Sequence, residues 1–214
     1  MRRAHLVAAF AASLLTSFAF AQSLKVEPYA AYADLRELSS YYANGKLLKA
    51  MHYRDPDGSS RVFAFGGEYG GSQIAPKDMS SLHAYGLLED HGGFLTRWEI
   101  KETSGPVCAI EPLNDRIGVQ DPLGDGQALV LVAYYMACDG LDPTDVKLIM
   151  VYKDHKYAIR GQLPNQPGDE LSRKASTNFT ELPPRVQKFA WDYWATVEQA
   201  AKKDADWTAP SKDD

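Results

Sequence analysis

The chain has few of the residues that mark metal or nucleic-acid chemistry. Its 214 residues include only two cysteines and five histidines, and 23 Lys and Arg face 28 Asp and Glu. Two cysteines cannot supply the four ligands of a structural zinc site, and no two histidines have the spacing of a helical metal motif. The formal charge of −5 excludes the basic surface expected of a nucleic-acid-binding protein. No nucleophile elbow, S-x-x-K tetrad or phosphate loop is present.

The composition is that of an ordinary globular protein. Hydrophobic residues make up 45% of the chain, charged residues 24% and aromatic residues 11%. These values exclude a collagen, a long coiled coil and a wholly disordered chain. No Gly/Ser-rich linker divides two cores, so we expect one domain over residues 22–204, with a polar tail at residues 205–214.

The N-terminal residues have the pattern of a secretory signal peptide. Arg2 and Arg3 precede an uncharged apolar stretch at residues 6–20, and Ala19-Phe20-Ala21 forms an A-x-A cleavage site. The alternative is a membrane anchor, but the apolar stretch is shorter than the ~20 residues needed to span a bilayer. We therefore expect residues 1–21 to be removed after Ala21, leaving a periplasmic or secreted protein without a membrane span and with a formal charge near −7.

Export affects the interpretation of the two cysteines. Cys108 and Cys138 are the only pair, and an oxidising compartment favours a disulfide between them. Two separate buried thiols are the alternative. In the chain-entropy relation, closing a loop of about 31 residues stabilises the fold by roughly 3.5 to 4 kcal/mol.

Three pairs of apolar runs predict β-hairpins. Residues 47–54 and 61–66 flank an Asp-Pro-Asp-Gly turn, residues 82–88 and 94–101 flank a Gly-Gly turn, and residues 146–153 and 157–163 flank a tight turn. The most hydrophobic stretch, residues 128–137, is expected to form a central strand. The short spacing between successive strands favours an antiparallel meander. Residues 164–179 are predicted to form a polar surface loop.

Two helices are predicted beside the sheet. Apolar residues at mixed three- and four-residue spacing indicate a short N-terminal helix over residues 29–42. A long C-terminal helix is expected at about residues 183–203, because two prolines precede one continuous apolar stripe. The predicted fold class is α+β, with an antiparallel β-meander and both helices packed on it.

A possible metal loop lies before the central strand. Asp121 and Asp125 belong to the string Asp-Pro-Leu-Gly-Asp-Gly, which is similar to calcium loops with alternating oxygen ligands. Leu123 and Val132 stand where further ligands are needed. The favoured interpretation is a turn without cofactor, and calcium is the disfavoured alternative.

Aromatic residues indicate either a packed core or a recognition surface. The chain contains four tryptophans and twelve tyrosines, which can pack a sheet under a helix or stack on sugars and anchor partners. Core packing is the simpler explanation. The candidate binding residues are Trp98, Tyr134 and Asp139.

One segment resembles a known family. The string D-P-L-G-D-G-Q-A-L-V-L-V-A-Y-Y-M-A-C-D-G-L-D-P-T-D-V-K-L-I-M at residues 121–150, followed by K-Y-A-I-R-G at residues 156–161, is similar to a hallmark segment of small exported bacterial proteins. Some of these are labelled surface polysaccharide biosynthesis proteins. A weaker similarity extends from about residue 46 and includes H-Y-R-D-P-D-G at residues 52–58. The resemblance implies a cell-envelope protein linked to surface glycans, and it implies no particular reaction.

Two functions remain open on the sequence alone. The favoured hypothesis is a non-enzymatic exported module that binds a glycan or an envelope protein. The alternative is an exported hydrolase of a cell-surface polymer that uses paired carboxylates, either Asp121 with Asp125 or Asp55 with Asp57. Such a pair must lie about 5 to 10 Å apart across a cleft.

Overall fold

The computed structural model describes residues 23–71, 77–167 and 169–205. The predicted signal peptide and all but the first residue of the predicted tail lie outside the described residues. Within them the chain forms an antiparallel sheet, several 3₁₀ helices and one α-helix. The strands are β1 (Val26–Pro28), β2 (Lys46–Arg54), β3 (Ser60–Tyr69), β4 (Met79–Asp90), β5 (Gly93–Thr103), β6 (Cys108–Pro112), β7 (Gly118–Gln120), β8 (Leu129–Cys138), β9 (Thr144–Tyr152), β10 (His155–Leu163) and β11 (Ser172–Ala175). The helices are the 3₁₀ segments Tyr29–Ala31, Leu35–Tyr42, Asn114–Arg116 and Thr177–Glu181, and the α-helix α1 (Pro184–Asp204).

The strands pair antiparallel along a path that follows chain order. The order β1-β2-β3-β4-β6-β8-β9-β10-β11 has two branches, in which β5 pairs with β4 and β7 pairs with β8. The expected hairpins are confirmed as β2–β3, β4–β5 and β9–β10, and the expected central strand as β8. The coarse prediction of an antiparallel sheet with a C-terminal helix is therefore confirmed.

Alternating side chains in the strands create separate apolar clusters on the two faces of the sheet. In β8, Leu131 joins the cluster under α1, whereas Val130 and Val132 join a cluster that strands β2 to β5 also supply. In β3, Phe63 belongs to this same shared cluster, and Val62 faces the N-terminal 3₁₀ helices. The two halves of the sheet thus pack on each other through one core, with helical segments covering their outer faces.

Helix α1 covers one outer face, as its apolar stripe predicted. Pro184 occupies the first helical turn, where a missing N–H costs nothing. Val186, Ala190, Trp194 and Val197 are buried against the strands at helical spacing. The helix bounds agree with the expected residues 183–203 to within one residue.

The two remaining segments differ from expectation. The predicted short N-terminal helix over residues 29–42 is not shown as one element: Tyr29–Ala31 and Leu35–Tyr42 are two 3₁₀ helices. Residues 32–34 separate them, and the carboxylate of Asp34 accepts the N–H of Arg36. The predicted loop at residues 164–179 contains β11, a strand at the sheet edge. Three of its four residues are exposed, so it lacks the apolar alternation that would reveal it from sequence.

Candidate functional site

A cleft of about 700 Å³ opens between the N-terminal segment and the β2–β3 turn. This volume lies within the range of ~300–1,000 Å³ that is typical of small-ligand sites. The walls are both polar and aromatic. They include Lys25, Glu27, Tyr32, His52, Asp55 and Asp125.

The N-terminal segment forms one wall because two contacts hold it to the sheet. The Leu24 N–H donates to Asp121 Oδ2 at 3.1 Å. Strand β1 pairs with β2, which places Glu27 directly opposite His52. Side chains at such directly opposed positions in an antiparallel pair lie close enough to interact.

A chain of hydrogen bonds crosses the base of this wall. His52 is 5% exposed, and its Nδ1 lies 3.1 Å from Glu27 Oε1 while its Nε2 lies 2.8 Å from Ser60 Oγ. The Ser60 hydroxyl donates to Glu89 Oε2 at 2.6 Å. Hydrogen bonds from Lys25 and then from His52 hold the pKa of Glu27 below its usual range.

The direction of these bonds argues against a catalytic triad. In a triad the serine donates to histidine, but Ser60 has one proton and donates it to Glu89. The two ring nitrogens of His52 contact Ser60 Oγ and the Glu27 carboxylate. Ser60 does not line the cleft, so its hydroxyl is also out of reach of a ligand there.

Tyr32 lies over this chain of hydrogen bonds at the edge of the cleft. Its ring stacks on the ring of His52, with centroids 3.7 Å apart and an interplanar angle of 3°. Its hydroxyl donates to Glu89 Oε2 at 2.8 Å. The residue is nevertheless 41% exposed. The ring is thus fixed by the protein and still accessible from the cleft.

The opposite wall contains Asp55, which belongs to an ion-pair network. Asp55 Oδ2 lies 2.9 Å from Arg61 Nε, and Asp154 Oδ1 lies 3.5 Å from Arg61 Nη1. Arg97 Nε approaches the other oxygen of Asp154 at 3.0 Å. Burial raises the pKa of Asp55 despite the opposing effect of Arg61. Asp57 caps its own turn by accepting the Ser59 N–H.

The predicted metal ligands form a backbone-capped turn. Asp121 accepts the N–H groups of Asp125 and Gly126 as well as that of Leu24. Burial acts to raise the pKa of Asp121, but these N–H donors outweigh it and leave the pKa lowered. Asp125 accepts the Gln127 N–H. Across the described residues, no three His, Cys, Asp or Glu side chains are grouped as metal ligands.

The predicted binding residues do not form a common surface. Trp98 is 7% exposed and Tyr134 is fully buried, and both belong to the shared core of the two sheet halves. Asp139 is exposed at the end of β8, where its N–H donates to Val107. Trp98 and Tyr134 are therefore core residues, because their strand positions point inward.

The two cysteines form the expected disulfide. Cys108 in β6 and Cys138 in β8 lie directly opposite each other in the sheet. The bond ties the short strand β6 to the central strand.

Comparison with known proteins identifies no relative of this chain. No protein family, curated protein or solved structure matches it. The resemblance in the segment from residue 121 therefore stays a prediction. In the part of the chain that the structure describes, no helix combines the length and apolar character that a membrane span requires.

Three residues of the cleft, and a fourth that lies behind it, were missed by the sequence interpretation. Glu27, Tyr32, His52 and Glu89 lie in three separate strands and a turn, and they meet only through strand pairing. The available signal was weak. His52 occupies a predicted strand, but its inward direction becomes evident only when the register of β2 is known.

Proposed function

We propose that this protein is an exported, non-enzymatic binding or accessory module linked to surface polysaccharide. On this proposal it is periplasmic or secreted after cleavage at Ala21. Its partner is a glycan or a glycan-bearing envelope component, and its ligand site is the cleft beside β1. The Cys108–Cys138 disulfide is compatible with an oxidising compartment and thus gives weak support to export.

The proposal is supported by the hydrogen bonds and ion pairs that already engage the reactive groups in and behind the cleft. The Ser60 hydroxyl is committed to Glu89, and the imidazole of His52 is committed at both nitrogens. Asp55 pairs with Arg61. Groups held in this way can recognise a ligand with little reorganisation, whereas a nucleophile or general base needs an available lone pair at the reacting atom.

Deletion of the gene followed by chemical analysis of surface polysaccharide tests this function. We expect the deletion to change the amount or chain length of the polymer, and wild-type protein to restore it. A Tyr32→Leu variant should not restore it, whereas Tyr69→Leu should, because Tyr69 has similar exposure but lies at the far end of β3. Unchanged polysaccharide after deletion would contradict the proposal.

Hydrolysis of a surface polymer is the second candidate. One member of each predicted carboxylate pair, Asp55 and Asp125, lines the same cleft. The raised pKa of Asp55 is the property expected of a general acid. Release of reducing ends by the purified protein, abolished in Asp55→Asn, would favour this candidate over the binding module.

A further inference from the structure

Carboxylates outnumber the lysine and arginine cations that line the cleft. Lys25 and Arg54 face the carboxylates of Glu27, Asp55 and Asp125. Most of these groups already have a close partner. Lys25 pairs with Glu27 at 3.1 Å, Asp55 pairs with Arg61 at 2.9 Å, and Arg54 donates to the Gly58 carbonyl at 3.1 Å.

This excess of negative charge disfavours an acidic ligand. A carboxylate that enters the cleft must lose its hydration, and it meets more carboxylates than cations there. An acidic polymer also approaches a chain whose formal charge is −5. An uncharged ligand avoids both penalties.

The same groups retain hydrogen-bonding capacity for hydroxyl groups. A carboxylate offers about four lone-pair sites, and the hydrogen bond of Asp125 to the Gln127 N–H occupies only one of them. Lys25 has three N–H donors, of which the contact with Glu27 uses one. A sugar hydroxyl is both donor and acceptor, so it can satisfy either type of group without bringing a charge.

Tyr32 supplies the apolar part of the recognition. Its ring is fixed by the stacked His52 and by the bond from its hydroxyl to Glu89, and Ser60 bonds to both of these residues. A ring already held in place loses little conformational entropy when a ligand packs on it. The C–H-rich face of a pyranose is an apolar surface suited to such a ring.

We propose that the cleft binds an uncharged pyranose unit of a polysaccharide, with Tyr32 as its stacking platform. The Glu27–His52–Ser60–Glu89 chain positions that platform. This inference rests on the proposed function and adds to it the class of sugar and the residue that contacts it.

Calorimetric titration of the secreted protein with defined hexasaccharides tests the inference. The uncharged probes are maltohexaose, cellohexaose and chitohexaose, and the acidic probe is hexagalacturonate. We expect at least one uncharged hexasaccharide to bind at least about tenfold more tightly than hexagalacturonate. Tyr32→Leu should weaken that binding by about tenfold or more, since it keeps apolar bulk but removes the ring. Tyr32→Phe keeps the ring and should bind within about threefold of wild type.

Tyr69→Leu provides the matched control. Tyr69 is 38% exposed against 41% for Tyr32, and it contacts Lys46 rather than the cleft. Binding by Tyr69→Leu should equal that of wild type, and thermal melting of each variant reports whether it is folded. Equal or tighter binding of hexagalacturonate, or no effect of Tyr32→Leu, would overturn the inference.

The titrations test the sugar class separately from the deletion experiment, which tests the proposed function. If no uncharged hexasaccharide binds at millimolar concentration, the inference about the sugar class is wrong. The deletion experiment decides independently whether the protein acts on surface polysaccharide, so a changed polymer together with failed titrations refutes only the inference.

Discussion

Gly86 has no room for a side chain, because the indole of Trp98 lies directly over its α-carbon. The two residues are opposite each other in the β4–β5 pair. A β-carbon added at Gly86 would lie 2.0 Å from Trp98 Cε2 and 2.1 Å from its Nε1. Since carbon atoms in contact are normally ~3.5–4.0 Å apart, the Gly86→Ala variant must displace the indole or the strand by at least about 1.5 Å.

The displaced indole cannot move freely. Trp98 is 7% exposed and packs near Phe63, with ring centroids 6.3 Å apart. Overpacking of a core typically costs about 1–3 kcal/mol, and an overlap of this size places Gly86→Ala near about 3 kcal/mol. Urea unfolding followed by circular dichroism measures this loss as a lower midpoint at constant slope.

A double-mutant cycle tests the cause. Trp98→Ala alone should cost about 3–5 kcal/mol. Adding Gly86→Ala to Trp98→Ala should cost less than about 0.5 kcal/mol, because the clashing ring is gone. Gly93→Ala is the control from the same hairpin, since its nearest atom would be 3.8 Å away and its stability should stay within about 0.5 kcal/mol of wild type. Additive effects of the two substitutions, or a Gly86→Ala variant as stable as wild type, would refute the assignment of Trp98 to the core.

Three further predictions concern stability. Replacing Cys108 and Cys138 with serine opens a loop of about 31 residues and should cost about 3.7 kcal/mol in urea unfolding. The lowered pKa of Asp121 means that its stabilisation is present above the pKa of the unfolded carboxyl and is lost as the pH falls through the lower folded pKa. In a plot of melting temperature against pH, the fall at acidic pH should therefore be less steep for Asp121→Asn than for wild type. Glu198 is 6% exposed and bonded by two cationic side chains, so Glu198→Gln should cost about 1.5–3 kcal/mol in urea unfolding. Asp192→Asn, which removes an exposed helical ion pair, should cost at most about 0.5 kcal/mol.

Each of these has an outcome that would contradict it. Reductant that leaves the wild-type unfolding midpoint unchanged would count against the contribution of the disulfide. If the melting temperature of Asp121→Asn falls at acidic pH as steeply as that of wild type, the backbone N–H donors do not stabilise the carboxylate. Equal losses for Glu198→Gln and Asp192→Asn would show that burial of the Glu198 pair adds nothing.

Local patterns made the hairpins and the C-terminal helix predictable from sequence. Asp-Pro-Asp-Gly and Gly-Gly turns lie between apolar runs that are long enough to pair, and the apolar stripe of α1 has unambiguous helical spacing. The short strands β1 and β11 were missed because neither contains a buried residue, and pairing alone defines them. The two N-terminal 3₁₀ helices have apolar spacing close to that of an α-helix, and this similarity explains why one continuous helix was predicted there.

The candidate site was less predictable because its residues are distant in sequence. Glu27 and His52 are 25 residues apart, and Tyr32 and Glu89 are 57 apart. Their contacts depend on the register of β1, β2, β3 and β4, which sequence patterns do not specify to a single residue. Trp98 was a candidate binding residue, and core packing was the simpler explanation for the aromatic residues. In the structure Trp98 and Ile100 alternate as inward residues of β5.

Amide chemical-shift mapping tests most directly whether the cleft is the ligand site. The ¹H–¹⁵N spectrum of the protein is recorded while maltohexaose, cellohexaose and chitohexaose are added in turn. The largest shifts should occur at residues 23–27, 52–58 and 125–126 and at Tyr32, which surround the cleft. Shifts concentrated in the groove that Asn114 and Lys203 line at the far end of α1, or no shifts at all, would contradict this expectation.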